Sequence, residues 1–287
     1  MGSADGGEGG GLPGSVELAW GLRARPGKGP KRTLTLEEIV DAAVRVGSAE
    51  GLAAVSMSRV AAEAGVSTMA LYRYVPSKAD LLELMADQVF GPPPALPGPE
   101  VGWREGTAAW AWAMRAALSR HPWLLGVPIT GPPVMPNTVA WMEAGLSRLR
   151  GTGLEPGAKV SVLMLISGHV RSQAILFRDM AASLDDAGTT EAEMLLGYGA
   201  LLAKVADPGR FPELHRLLGE GVFDMGGAPG AEAGDPDPDF AFGLERILDG
   251  IQVLVDREAA VHEQRLPGDV GRPGAGQEDG GGGEVAG

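Results

Sequence analysis

The sequence predicts an all-α protein: a small N-terminal three-helix unit holding a helix-turn-helix, then a larger helical unit. Three observations carry that prediction. Apolar residues recur three and four apart along most of the chain, alternating β-branched runs are scarce, and hydroxyl–carboxylate pairs stand where helices would begin. A chain of 287 residues can bury a substantial core as one large or two modest domains.

The first helix opens at Thr35-Leu36-Glu37-Glu38, where the hydroxyl and the carboxylate three residues on can each satisfy a free amide. Leu36, Ile39, Val40, Ala43 and Val46 form its apolar stripe, and Gly51 follows its end. A second helix runs from about Met57 to Ala64, and Gly65 breaks it. Ser67 caps a third that extends to about Val75 and stops at Pro76, while Ser77 and Asp80 open a fourth. The turn Ala64-Gly65-Val66-Ser67 joins the second and third helices as in a helix-turn-helix. Val60, Ala61, Val66 and Leu71 then face inward, leaving Thr68, Met69, Ala70, Arg73 and Tyr74 free to face a groove.

The stretch from Gly91 to Pro99 is proline-rich and free of helix, so the domain boundary falls there, with a connector over 91–100. Beyond it, helices are predicted over about 101–120, 136–150, 157–183, 190–206, 212–220 and 239–264, with a loop from Gly226 to Pro238. The domains are therefore 1–32, 33–90, 101–264 and 265–287, the first and last rich in glycine and expected to be disordered.

Composition narrows the function classes. The absence of cysteine excludes disulfides, thiolate metal sites and thiol catalysis and suits a cytoplasmic protein. No run reaches the length of a membrane span, and no signal peptide opens the chain. Net charge is −13, yet from Trp20 to Lys78 nine cations face five anions, giving +4 against −17 elsewhere. A basic head on an acidic body can still bind a polyanion, because salt screens charges beyond about 8–10 Å. Arg23, Arg25, Lys28, Lys31 and Arg32 form either a basic arm reaching DNA or a solvated tail. His121, His169, His215 and His262 lack metal spacing, Ser167 and His169 point to different helix faces, and no H-E-x-x-H, phosphate loop or G-x-S-x-G occurs. Neither an enzyme nor a metal or cofactor site is expected.

In the body, Trp103, Trp110 and Met114 share a helix face, and Trp141 joins them as either core or lining of an effector cavity. The segment from Val160 to Val170 is apolar on every side and should be central. His169, Arg171, Gln173, Phe177 and Arg178 continue it; buried polar groups there mark a ligand pocket, a dimer seam or structural hydrogen bonds.

The run VAAEAGVSTMALYRYVPSKADLL, preceded by TLEEIVDAAVRVGSAEG, resembles the N-terminal domain of TetR-family transcriptional regulators over about Thr33 to Asp87. It combines A-x-x-A-G-V-S, L-Y-x-Y-V and S-K-x-x-L. The later F-x-F-G-L-E-x-I-x-x-G, from Phe240 to Gly250, resembles the final helix of the tetracycline-repressor branch. Val75 departs from the third aromatic that many relatives carry there. The resemblance implies a homodimeric repressor that reads a palindromic operator in double-stranded DNA and is released by a small-molecule effector. It implies base-facing roles for Thr68, Met69, Ala70, Arg73 and Tyr74 and phosphate contacts for Ser56, Ser67, Tyr72 and Lys78. It also implies that the stripe Phe240, Leu244, Ile247, Ile251, Leu254 and Val255 joins the previous long helix in a four-helix dimer interface. The competing reading is a DNA-binding regulator without a small-molecule ligand.

Overall fold

The computed structural model describes residues 12–22, 34–223 and 237–265. Eleven α-helices and no strand occur among them. The head comprises α1 (Gly14–Ala19), α2 (Leu36–Glu50), α3 (Met57–Glu63), α4 (Thr68–Tyr72) and α5 (Lys78–Phe90). The body follows as α6 (Gly102–Arg120), α7 (Pro136–Arg148), α8 (Pro156–Ala187), α9 (Glu191–Val205), α10 (Pro212–Gly219) and α11 (Pro238–Arg265).

Local chemistry explains the helix starts. Thr35 and Glu38 close a reciprocal capping box on α2, and Ser56, Ser67 and Ser77 each accept a backbone amide at the start of α3, α4 and α5. Capping fixes where a helix begins, and burial fixes which way it faces. Ile39, Val46, Val60, Leu71, Val75, Leu81 and Met85 are fully buried in one head core. Each such side chain contributes about 1.5–3 kcal/mol through apolar burial.

Residues 1–32 are not uniformly an unstructured arm. Gly14–Ala19 form α1, with Ser15 and Val16 buried and Leu18 and Ala19 packed on the head core. Glycine and proline around it depress local helix propensity, but a waiting apolar surface overrides propensity. The cations Arg23, Arg25, Lys28, Lys31 and Arg32, most of the loop from Gly226 to Pro238, and residues 266–287 lie outside the described residues.

The body core is built where α6, α7, α8 and α11 meet around Trp110, Trp141, Leu149, Ile166, Phe240, Leu244 and Leu248. Gly145 allows the closest crossing: a Cβ there would lie 2.9 Å from Leu163 Cδ2 and from Trp110 Cε2. By contrast, α9 and α10 pack mainly on each other, with Tyr198 edge-on to Phe223.

Contrary to the sequence expectation, α8 is long and apolar enough, by length and composition, to cross a membrane. Its composition has a different origin. Val162, Leu163, Ile166, Val170 and Ala174 face the body core, whereas Val160, Met164 and Leu165 face outward. The helix is thus central on one side only. The stripe on α11 likewise differs from expectation: Phe240, Leu244, Leu248 and Ile251 are buried within the chain, and Phe242, Val253 and Leu254 are exposed. The intrachain core is nearest to the first group, so hydrophobic periodicity alone reports burial and not the identity of the covering surface.

Head and body are joined by more than the connector. Leu52, Leu82 and Trp123 pack against both cores, and Met135, just before α7, is buried in the head core. Asp87 on α5 is buried at the start of α7, accepting from the backbone N–H of Asn137 at 3.1 Å and of Thr138 at 3.1 Å and from the Asn137 side-chain amide. These are free amides of a helix N-terminus, and the carboxylate completes them. Burial nevertheless holds the Asp87 carboxyl above its ordinary range, outweighing the donors from Asn137 and Thr138.

Two outcomes follow from this packing. Gly145→Ala should destabilise the protein by about 1–3 kcal/mol through overpacking, read by chemical denaturation; native-like stability would show that α7 and α8 are looser than described. Asp87 has a raised folded-state pKa, so it binds its proton more readily in the folded state and stability is lost as pH rises through that window. The stability difference between the native chain and Asp87→Ala should therefore widen in favour of the native chain as pH falls from neutral toward about 4. Denaturation curves at several pH values check this, and a difference that narrows contradicts it.

Candidate nucleic-acid interface

The turn between α3 and α4 is made by backbone geometry. Gly65 takes a φ of +69°, the left-handed region that suits glycine, and Val66 N–H donates to Ala61 O at 2.9 Å. Ser67 then turns the chain into α4 by accepting from Ala70 N–H at 3.2 Å. The helix itself has five residues and ends at Tyr72, earlier than the expected Val75. Hydrogen bonds from Tyr74 and Val75 to Leu71 O prolong one further turn before Pro76.

Leu71 and Val75 point into the head core with no exposed surface. The opposite side of the same short rod presents Met69, 77% exposed, with Tyr72 and Arg73. Ser67 and Lys78 are also exposed, while Ser56, Thr68 and Ala70 are half-buried. Tyr74 departs from the expectation of a free groove-facing side chain. It is half-buried and packs on the head core, because it lies beyond the helical turn that projects Met69 and Tyr72.

Ion pairs neutralise two of the head's arginines. Arg45 pairs with Glu63 at 3.1 Å, and Arg59 pairs with Glu50 at 2.5 Å and with Glu63 at 3.2 Å. Donating to Glu50 and Glu63 holds the Arg59 guanidinium above its ordinary pKa, and accepting from Arg45 and Arg59 holds the Glu63 carboxyl below its own. Among the described residues, Arg73 and Lys78 have no carboxylate partner. The surface around α4 therefore carries unneutralised positive charge beside an aromatic ring, an exposed thioether and serine hydroxyls. Such a set can donate to phosphates and to base edges.

In the body, the residues expected to line an effector cavity divide into two groups. Trp110, Met114 and Trp141 are core: Trp110 Nε1 donates to Trp141 O at 3.0 Å, and Trp141 Nε1 donates to Gly91 O at 2.9 Å. Trp103 is half-buried at the edge of that core. His169, Gln173 and Phe177 stand one turn apart on one face of α8 and meet residues that sequence reading missed. The His169 ring stacks on Phe240 at 5.2 Å with its Nε2 3.2 Å from Phe240 O. Gly243 makes that approach possible, since a Cβ there would lie 2.4 Å from the ring.

Arg115 forms an ion pair with buried Asp237, and its guanidinium lies over Phe177 at 4.8 Å and Phe240 at 5.2 Å. Burial lowers the pKa of Arg115. Arg115 Nε and Gln173 Oε1 are buried without hydrogen-bond partners, and Trp112 meets Phe240 edge-on at 4.5 Å. The signal for Arg115 was available in the sequence as a lone cation in an apolar turn after Met114. Arg171, in contrast, donates to Leu125 O at 3.0 Å and Val127 O at 3.3 Å, fastening α8 to the Pro122–Gly126 turn.

Comparison with known proteins completes the description. Residues 39–85 match the bacterial regulatory proteins of the tetR family, and residues 96–255 match the tetracyclin repressor-like C-terminal domain. The HTH-type transcriptional repressor DrrR1 of Streptomyces coeruleorubidus is 43% identical over 248 residues, which cover 84% of this chain and 86% of the relative. The HTH-type transcriptional repressor Rv1353c of Mycobacterium tuberculosis is 28% identical over 275 residues, 88% of this chain and 97% of the relative. ActR of Streptomyces coelicolor, solved in complex with actinorhodin, aligns with a TM-score of 0.61 at 30% identity, covering 78% of this chain and 99% of that one. A second ActR structure, in complex with (S)-DNPA, gives 0.60 at 29% identity, with 78% and 99% covered. Both matched regions coincide with the head and body described above, and the chain belongs to the TetR family of non-enzymatic regulators as a DNA-binding transcriptional repressor.

Proposed function

We propose that the protein acts in the cytoplasm as a homodimer that grips a palindromic operator through Met69, Tyr72, Arg73 and Lys78 and lets go when a small molecule enters the body. The observation that carries this reading is the unpaired charge of Arg73 and Lys78 beside exposed Met69 and Tyr72, on a head whose other described arginines are already neutralised. Thr68 and Ala70 flank that surface closely enough to touch bases. Ser67, whose oxygen already caps α4, keeps its hydroxyl proton for a phosphate, and Ser56, which caps α3, shares a hydroxyl contact with Ser58 at 3.3 Å at the same edge. Tyr74 acts chiefly as a wedge that supports the rod from behind.

Dimerisation is supported by the outer faces of α8 and α11. Val160, Met164 and Leu165 on α8 and Val253 and Leu254 on α11 are exposed, and the two helices pack side by side. An apolar face of this kind favours a second copy, which would set two heads at the spacing of successive grooves, about 34–36 Å per turn.

For the effector, the cluster of Trp112, Arg115, His169, Gln173, Phe177 and Phe240 is the best-supported site. It offers aromatic faces, a buried cation and polar atoms that lack partners. A small-molecule effector is supported by similar proteins: ActR is known in complex with actinorhodin and with (S)-DNPA. Release demands that the ligand favour the non-binding arrangement of heads. A coupling of about 1–3 kcal/mol changes operator affinity about 5- to 150-fold. The dense packing of Trp110, Met114 and Trp141 favours the second reading, a repressor without a small-molecule ligand, if that cluster opens to nothing.

Selecting bound sequences from random DNA supplies the operator and tests DNA binding directly. On that operator, Lys78→Ala should weaken binding to all sequences alike and reduce the salt slope by about one, and Arg73→Ala should cost about 1–3 kcal/mol and relax preference at one position. Normal affinity in both variants would remove these residues from the interface. Screening small molecules for operator release, with Gln173→Ala as the comparison, tests the effector site. Release from the native chain but not from the variant is expected, and equal release from both would place the ligand elsewhere.

A further inference from the structure

The N-terminal helix α1 lies across the joint between head and body and is tied to both. On the head side, Ser15 N–H donates to Asp80 Oδ1 at 3.0 Å, and Ser15 Oγ donates to Glu83 Oε2 at 2.6 Å. Asp80 uses its other oxygen to accept from Ser77 Oγ at 2.6 Å, at the cap that begins α5 next to Lys78. Glu83 uses its other oxygen to accept from Thr130 Oγ1 at 2.7 Å, in the body loop that precedes α7. At the far end of α1, Trp20 Nε1 donates to Val134 O at 2.8 Å. Ser15 is 1% exposed and Val16 3%, so the helix is seated and not merely laid on the surface.

Of these two α5 carboxylates, Asp80 is shared between α1 and the N-cap Ser77 of its own helix, beside a proposed DNA contact, and Glu83 is shared between α1 and the body loop at Thr130. Rotating the head about the joint would have to break the Ser15–Glu83 bond, the Thr130–Glu83 bond or the Trp20–Val134 bond. Within this joint, α1 and Trp20 lie outside residues 39–85 and 96–255, the regions matched by the family.

We propose that α1 and Trp20 form a strap that fixes the angle of the head on the body, making Ser15 and Trp20 positioning residues for DNA recognition. They touch no base or phosphate themselves. Their effect is on geometry: a head held at one angle accepts one half-site spacing, and a head freed from the strap accepts several. The consequence for spacing rests on the homodimer proposed above; the consequence for head angle does not.

The test uses the full chain and the double variant Ser15→Ala/Trp20→Phe, which removes two donors while keeping α1 and an aromatic ring in place. Since the native chain has no cysteine, cysteines introduced at exposed Ala62 on α3 and Ala181 on α8 take spin labels selectively. Labelled chains are diluted with unlabelled ones so that distances within one chain are read. The strap predicts a broader head-to-body distance distribution in the double variant with an unchanged thermal midpoint. A distribution as narrow as that of the native background overturns the proposal, whether or not the protein dimerises. In the second arm, one base pair is inserted between the operator half-sites, which shifts one of them by about 3.4 Å and turns it by about 34°. The affinity penalty for that insertion should fall by about fivefold or more in the double variant, while base preference within each half-site stays native. An equal penalty in both proteins, from dimers that bind the uninterrupted operator normally, also overturns the strap. If Ser15→Ala/Trp20→Phe fails to fold, Thr130→Val, which cuts the same Glu83 link from the body side, is measured in its place against the same two outcomes.

Discussion

A five-residue helix has no stability of its own in water, so the rotation of α4 about its axis is set by what it buries. Leu71 and Val75 supply that anchor. With both inserted in the head core, Met69, Tyr72 and Arg73 must project to the opposite side, and Ser67 must stand at the start of the rod where its hydroxyl caps the helix. The remainder of the head serves this one constraint. α2 and α5 provide the walls, Gly65 provides the sharp turn, and the pairs among Arg45, Glu50, Arg59 and Glu63 neutralise positive charge along α2 and α3. Among the described residues of the head, the cations without a carboxylate partner, Arg73 and Lys78, stand at that edge, which gives an acidic protein a place to approach DNA.

The same rigidity extends to the body through α5. This helix begins beside the surface proposed to face DNA, at Lys78, and ends where Asp87 completes the start of α7, so one continuous rod links the two. Asp87 and Met135 make the joint polar on one side and apolar on the other. Beyond α7, the packed tryptophans form a firm floor. The cluster around Arg115 is less completely satisfied, since it joins a desolvated ion pair to polar atoms without partners. A site of that kind is where a small difference in binding energy can shift one arrangement into another.

Much of the head was legible in the sequence, because its signals are local. Capping pairs at Thr35/Glu38 and Ser77/Asp80, the glycine at position 65 and the apolar stripe of α2 each determine structure within a few residues of themselves. What escaped was long-range. The seating of α1 depends on Asp80 and Glu83, some 65 residues away, and nothing in the run from Gly14 to Ala19 announces it. Tyr74 read as free because its neighbours on the rod are, although the end of α4 turns it toward the core. The apolar residues of α8 and α11 were identified correctly as buried or buriable, but pattern cannot distinguish the chain's own core from a partner's surface. In the effector region, His169 and Gln173 stood out as polar groups among apolar neighbours, while Arg115 and Asp237 come together only through the crossing of α6 and α11.

The central claim is that the side of the head bearing Met69 faces the DNA. A photo-crosslinking amino acid placed at Met69, and separately at exposed Ala49 on the neutralised side, tests it with the operator bound. Covalent attachment to operator bases from position 69 and none from position 49 is the predicted result. Attachment from position 49 with none from position 69 would contradict the account.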